Sequence, residues 1–150
     1  MLYFAYGSNL NHFQMKRRCK DSIFVKKINL KNFKLTFRSK YRAADIEPKK
    51  NSIVPGGLFK ISKSDEKKLD IYEDYPVLYK KYYFFYNKKK VMTYTMVKKS
   101  LFMYPTERYL NVVKKGDHVS CPPWITALLI IFDTAMQEIL AIRHCLIDQF

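Results

Sequence analysis

The sequence predicts an α+β fold: a small, mostly antiparallel β-barrel with flanking helices, spanning residues 1–150 as a single domain. Three observations carry this. Apolar and aromatic residues recur in short strand-like runs, YFAY, NFKLTF, YKKYYFFY and VMTYTMV. The helical stretches are few and do not alternate with the strands, so a parallel βαβ sheet is not expected. No internal repeat and no dividing linker interrupts the 150 residues, a length that buries a substantial core without staples.

The elements follow in chain order. Residues 2–6 read as a buried strand, and Asn9 to Arg18 as a helix with Leu10 and Phe13 on its apolar side. Two strands are expected at Phe24–Leu30 and Phe33–Phe37, joined by a polar corner, with Phe33, Leu35 and Phe37 on one face. Arg42–Ile46 is a further short strand and PKKNS (48–52) a turn. IVPGGLFKIS then reads as a strand interrupted at Pro55-Gly56-Gly57, where glycine marks a bulge or a close backbone approach. Ser62 or Ser64 caps a helix that ends at Tyr75-Pro76. YKKYYFFY and VMTYTMV form a hairpin around NKKK, and a helix at Thr106–Lys114 stops before Gly116.

Past Gly116 only one basic residue, Arg143, remains in 34 positions, and Pro122-Pro123 opens an amphipathic helical pattern from Trp124 onward. Three readings of residues 118–150 stand side by side: a packed terminal helix, a partner-binding helix, or a reading-frame artefact.

Composition narrows the function. The net charge of +15 comes from lysines scattered over the first three quarters of the chain, beside much Asn, Ile, Tyr and Phe. An AT-rich genome produces that set without selection for charge. No nucleic-acid-binding motif accompanies it, so solvated lysine faces are preferred to a nucleic-acid surface. No apolar run is long enough to span a membrane, and the N-terminus has no basic n-region, so a cytoplasmic location is expected. Cys19, Cys121 and Cys145 are odd in number and form no CxxC pair, which fits reduced thiols. His12, His118 and His144 show no ligand spacing, so no metal is expected.

Three stretches have the residue types for chemistry. In YFAYGSNL a strand stops on Gly7-Ser8-Asn9 before a helix, an arrangement that presents amide N–H groups to an anion or oxyanion, or merely caps the helix through Ser8 or Asn9. In LDIYEDYPVLY, Asp70, Glu73 and Asp74 crowd a helix end among Tyr72, Tyr75 and Tyr79. An aromatic enclosure and a neighbouring carboxylate both raise a carboxyl pKa, the condition for acid–base work. Charge alone does not rank the three. In YPTERYLNVVKKG, Thr106 is a cap, and Tyr109 is either a core tyrosine or a phenol donor to a ligand.

Taken together and in this order, YFAYGSNL, MKRRC, LKNFKLTF, VPGGLFKIS, LDIYEDYP and PTERYLNVVKKG resemble the gamma-glutamylcyclotransferase superfamily, most closely its YGSNL branch, across residues 2–117. The resemblance implies a small β-barrel whose first loop holds a gamma-glutamyl group. It implies substrate contacts at Tyr3, Phe4, Ala5, Tyr6, Gly7, Ser8, Asn9, Leu10 and Tyr109, and a catalytic acid–base at Glu73. The implied reaction is attack of the substrate's own α-amine on its γ-carbonyl, closing to 5-oxoproline and releasing an amine, as in glutathione-related metabolism. It calls for no cofactor and no metal, and its partner is a small gamma-glutamyl molecule. A non-catalytic binder of the same ligand and a basic nucleic-acid-binding barrel are the alternatives. Two departures stand out: Asp74 occupies a position where much of the family has glycine, and residues 118–150 match weakly.

Overall fold

The computed structural model describes residues 1–115, in a compact unit covering Met1–Gly116. The helix expected beyond Pro123, and with it Cys121, Cys145, His118 and His144, lies outside the described residues. The elements run β1 (Leu2–Ala5), a 3₁₀ turn (Ser8–Leu10), α1 (His12–Arg18), β2 (Ile23–Arg38), β3 (Ala43–Lys60), α2 (Lys63–Tyr72), β4 (Tyr79–Tyr86), β5 (Lys89–Met96) and α3 (Glu107–Lys115).

The five strands form one sheet in the order β2-β3-β1-β5-β4, with β1 parallel to β5 and every other pair antiparallel. β1 is central and short, with Tyr3, Phe4 and Ala5 buried on both faces, which is why YFA has no polar alternation. The sheet curls without closing its ladder. Its outer strands meet through side chains: the Phe33 ring of β2 lies 5.5 Å from the Tyr82 ring of β4, and Lys26 sits 5.0 Å over Tyr86. The expected barrel is therefore present as curvature, while β2 and β4 remain edges.

Several expected boundaries move for one reason. β2 does not break into two strands, and the PKKNS segment is part of β3, not a turn. The true reversal lies at 39–42, where Ser39 and Arg42 have φ of 65° and 51° and the Arg42 N–H bonds the Ser39 carbonyl at 3.0 Å. The polar residues that read as corners form a facing irregularity inside the long ladder. Asn32 and Asn51 both take left-handed φ, 61° and 63°, and the Asn51 N–H donates to Asn32 Oδ1 at 3.2 Å. Asn tolerates that region, so a kink serves where a break was expected. Pro55-Gly56-Gly57 does not interrupt β3 either: a Cβ on Gly56 would lie 2.3 Å from the Ala5 carbonyl oxygen and 2.4 Å from the Phe4 ring. Glycine is required there for β3 to approach β1.

Ser62 caps α2 in a reciprocal capping box with Asp65. The β4–β5 turn uses Asn87 and Lys88, both at positive φ, as a two-residue hairpin whose twist suits the strands. α1 and α2 cover one face of the sheet, where Tyr3, Ala5, Met15, Leu69, Met92 and Tyr94 belong to the buried core.

Candidate active site

Behind β1 the chain turns tightly. The Gly7 carbonyl accepts the Leu10 N–H at 2.9 Å and the Ser8 carbonyl accepts the Asn11 N–H at 3.1 Å. The side chain that caps α1 is Asn11, whose Oδ1 accepts the Gln14 N–H at 3.0 Å, so neither Ser8 nor Asn9 serves as the cap and the helix begins at His12, not Asn9. Freed from capping, Asn9 is 3% exposed and turns its amide inward. Its Nδ2 donates to the Tyr3 hydroxyl at 2.9 Å and to Glu73 Oε1 at 2.8 Å, while its Oδ1 accepts from Arg18 Nη1 at 2.6 Å.

Glu73 closes α2. The Asp74 N–H bonds the Ile71 carbonyl and the Tyr75 N–H bonds the Asp70 carbonyl, the paired bonds of a Schellman ending, with Asp74 at φ 50° in the left-handed position. That turn aims Glu73 back beneath the first loop. Burial pushes its carboxyl up to about 7, partly offset by the Arg18 cation and the Asn9 hydrogen bond. The other two acids face elsewhere. Asp70 accepts the Tyr94 hydroxyl at 2.6 Å and pairs with Lys81 at 2.9 Å, and Asp74 is exposed.

Between them lies a cleft of about 270 Å³, counting the solvent at its mouth. Tyr3 lines it from β1, Tyr6, Gly7 and Asn9 from the first turn, Glu73 from the end of α2, and Ala44, Tyr79 and Tyr94 from β3, β4 and β5. Its phenols have partners. Tyr6 donates to the Tyr94 carbonyl at 2.7 Å, Tyr79 to the Ala44 carbonyl at 2.6 Å, and Tyr94 to Asp70. Burial, chiefly, raises the pKa of each. Tyr109, on α3, closes the Gly7 edge. Its hydroxyl accepts the Ala44 N–H at 3.3 Å and is also held by the Ser8 amide, and a Cβ on Gly7 would lie 2.9 Å from it. Two backbone amides, one from the first turn and one from β3, thus converge on a single oxygen position at the cleft wall.

Of the residues expected to contact substrate, Tyr3, Tyr6, Gly7 and Asn9 line the cleft and Tyr109 adjoins it. The Ser8 hydroxyl pairs with the Tyr72 hydroxyl at 3.2 Å. Phe4 packs its ring 5.8 Å from Phe84, Ala5 is in the core, and Leu10 packs against it beside Gly57. Those three side chains do not line the cleft. Sequence reasoning missed Arg18, Ala44 and Tyr94 as members of the site. Tyr94 had a signal, since VMTYTMV places it on the same strand face as Met92 and Met96; Ala44 acts through its backbone and had none. Among the described residues no group of three His, Cys, Asp or Glu side chains is arranged for a metal. Burial pushes the Cys19 thiol up to about 12, which leaves it unreactive.

A curled α+β sheet with one half-buried, amide-bonded carboxyl in a tyrosine-walled cleft has the groups that acid–base work on a small polar ligand needs. The family model described as "Gamma-glutamyl cyclotransferase, AIG2-like" matches residues 3–124, and the chain belongs to that family. No curated protein matches it. Solved structures share the fold. A gamma-glutamyl cyclotransferase is 23% identical with a TM-score of 0.67, over 83% of this chain and 82% of that one. An uncharacterized Homo sapiens protein is 22% identical with a TM-score of 0.67, over 85% of each chain. YkqA from Bacillus subtilis is 20% identical with a TM-score of 0.71, over 89% of this chain and 54% of that one.

Proposed function

We propose that this protein releases 5-oxoproline from a small gamma-glutamyl amide, with Glu73 as the acid–base and the Tyr3–Asn9 turn as the substrate site. The observation that carries this reading is the Glu73 carboxyl, held by Asn9 inside the cleft and pushed up to about 7. Attack requires the substrate's α-ammonium to lose a proton, and model α-amines titrate at about 7.7–8.0. A base near 7 sits close to that value, so the proton moves either way with little cost. Glu73 takes a proton from the ammonium, the free amine attacks the γ-carbonyl, and a C–N bond forms as the carbonyl oxygen becomes anionic. The old C–N bond breaks as Glu73 returns its proton to the departing nitrogen. The ring nitrogen, left with a positive charge and one proton too many by the attack, gives that second proton to Glu73. The carboxylate passes it on to the freed amine, so the products are the neutral lactam and an ammonium and the single positive charge of the substrate is conserved.

The oxyanion needs donors placed before the reaction begins. The Ser8 and Ala44 amides, which converge on the Tyr109 hydroxyl, suit that task, with the phenol sharing or yielding the position when substrate enters. The enclosing phenols hold the substrate folded, so its amine and carbonyl meet as parts of one molecule.

The test is 5-oxoproline release from a panel of gamma-glutamyl dipeptides and gamma-glutamylamines, comparing the native protein with Glu73→Gln. Release abolished by the substitution supports the reading. No release from any member by the folded native protein favours the binder alternative. Anion-dependent nucleic-acid binding that falls steeply with salt and survives Glu73→Gln favours the other.

A further inference from the structure

We propose that Arg18 is a positioning residue for Glu73, acting through Asn9: its guanidinium fixes which end of the Asn9 amide faces the carboxyl and supplies the cation that balances it. This deepens the reading of Glu73 as the acid–base and rests on it.

An asparagine amide presents acceptor and donor ends of nearly equal shape, and nothing intrinsic decides which faces Glu73. A guanidinium has donors only. Arg18 Nη1 lies 2.6 Å from the Asn9 oxygen, so that end faces Arg18, and Nδ2 is turned to both Tyr3 and Glu73. With the amide reversed, Oδ1 would oppose the carboxyl oxygen. Arg18 is itself held on two further sides. Nη2 donates to Gln14 Oε1 at 2.7 Å, and the guanidinium carbon Cζ lies 3.6 Å from the ring centroid of Tyr72, one residue before Glu73. A lysine has neither the fork nor the flat face.

The groups that act on Glu73 from the packed elements are few. The phenols of Tyr3, Tyr6, Tyr79, Tyr94 and Tyr109 surround it and stay neutral at neutral pH. Asp70, a turn earlier on α2, is neutralised by Lys81, and Asp74 points out. Arg18 is the cation that lowers the Glu73 carboxyl.

Two readouts test this without turnover, in the full chain carrying ¹³C-labelled glutamate and ¹⁵N-labelled asparagine. Carboxyl titration by NMR should put native Glu73 near 7, and Arg18→Met should raise it by about one pH unit, the size of a lost nearby charge. Arg18→Lys should return the titration towards the native value, yet leave the Asn9 side-chain amide protons exchanging faster than native. A folded Arg18→Met with unchanged titration, or a folded Arg18→Lys with unchanged Asn9 exchange, overturns the proposal. Arg18→Lys serves alone if Arg18→Met does not fold. If Glu73 responds as stated and no gamma-glutamyl amide is turned over, the reaction is at fault and the positioning role stands.

Discussion

The Tyr94 hydroxyl donates to Asp70 Oδ1 at 2.6 Å, and the other Asp70 oxygen pairs with Lys81 at 2.9 Å. This bond separates two carboxylates three residues apart on one helix. Asp70 spends both oxygens on structure, while Glu73 keeps one oxygen outside its bond to Asn9. Asp70→Asn should therefore cost about 1 kcal/mol of stability, the loss of a part-exposed ion pair, and change kcat/KM for 5-oxoproline release by less than about fivefold. Glu73→Gln should lower it by about 10²–10⁴. Equal losses from the two substitutions would remove the distinction between them.

Gly7 carries a second prediction. A Cβ there would meet the Tyr109 hydroxyl at 2.9 Å and the Ala44 Cβ at 3.2 Å. The phenol is the far end of a side chain and gives way first, leaving the Ser8 and Ala44 amides. Gly7→Ala should thus cost about 1–2 kcal/mol in a denaturant titration and at least about tenfold in kcat/KM, because the added methyl stands at the cleft wall where the substrate carbonyl must meet those amides. Native kcat/KM in the folded variant would argue against oxyanion stabilisation at this turn.

Asp74 stands at φ 50°, where a Cβ costs about 1 kcal/mol and glycine costs nothing. It is exposed, and the groups that shift the Glu73 carboxyl are burial, Arg18 and Asn9. Asp74→Gly should raise stability by about 1 kcal/mol in urea unfolding and leave the acid limb of the pH–rate profile in place. A moved limb would mean that the Asp74 charge reaches Glu73 after all.

Asp45 is fully buried. Its oxygens accept the Met96 N–H at 2.9 Å and Lys99 Nζ at 2.7 Å, and Arg38 Nε lies 3.6 Å away. This ties β2, β3 and the end of β5 together one residue from Ala44, which holds Tyr79 and Tyr109. Asp45→Ala should cost about 3 kcal/mol, because it strands the buried Met96 N–H and the largely buried Arg38 guanidinium without removing them. A loss under ~1 kcal/mol would mean that both cations find water.

Much of this architecture is legible in the residues, and the parts that are not share a cause. Alternation in YKKYYFFY and VMTYTMV locates the hairpin, and Ser62 or Ser64 brackets the start of α2 to within two residues, because both signals are local. The join of β2 and β3 into long paired strands is not local: Asn32 and Asn51 are turn formers until their pairing with each other makes them a kink. The same holds in the cleft. YGSNL announces itself by residue type and Glu73 is set apart from Asp70 and Asp74 only by the family resemblance, whereas Arg18 in MKRRC looks like its neighbour Arg17 until the fold brings Asn9 and Tyr72 to it. Whether Ser8, Asn9 or Asn11 caps α1 is decided by where Asn9 is needed, 64 residues away in sequence at Glu73.

Glu73 should also make the protein less stable as it becomes competent. In the folded chain its carboxyl is raised from an ordinary 4.5 to about 7, so between those values the native state binds a proton that the unfolded chain has released. Stability then falls with rising pH across that window: the contribution is intact below about 4.5, shrinks through the interval, and is gone above 7, for a total on the order of 3 kcal/mol. Glutamine cannot ionise, keeps an oxygen for Asn9 Nδ2, and is spared the loss. Glu73→Gln should accordingly match the native protein in urea unfolding at pH 4.5 and exceed it by on the order of 3 kcal/mol at pH 8. Its gain should appear over the same interval in which native kcat/KM rises as Glu73 becomes a base. A stability difference independent of pH would detach the carboxyl from this titration, and an activity limb at a different pH would point to another group as the base.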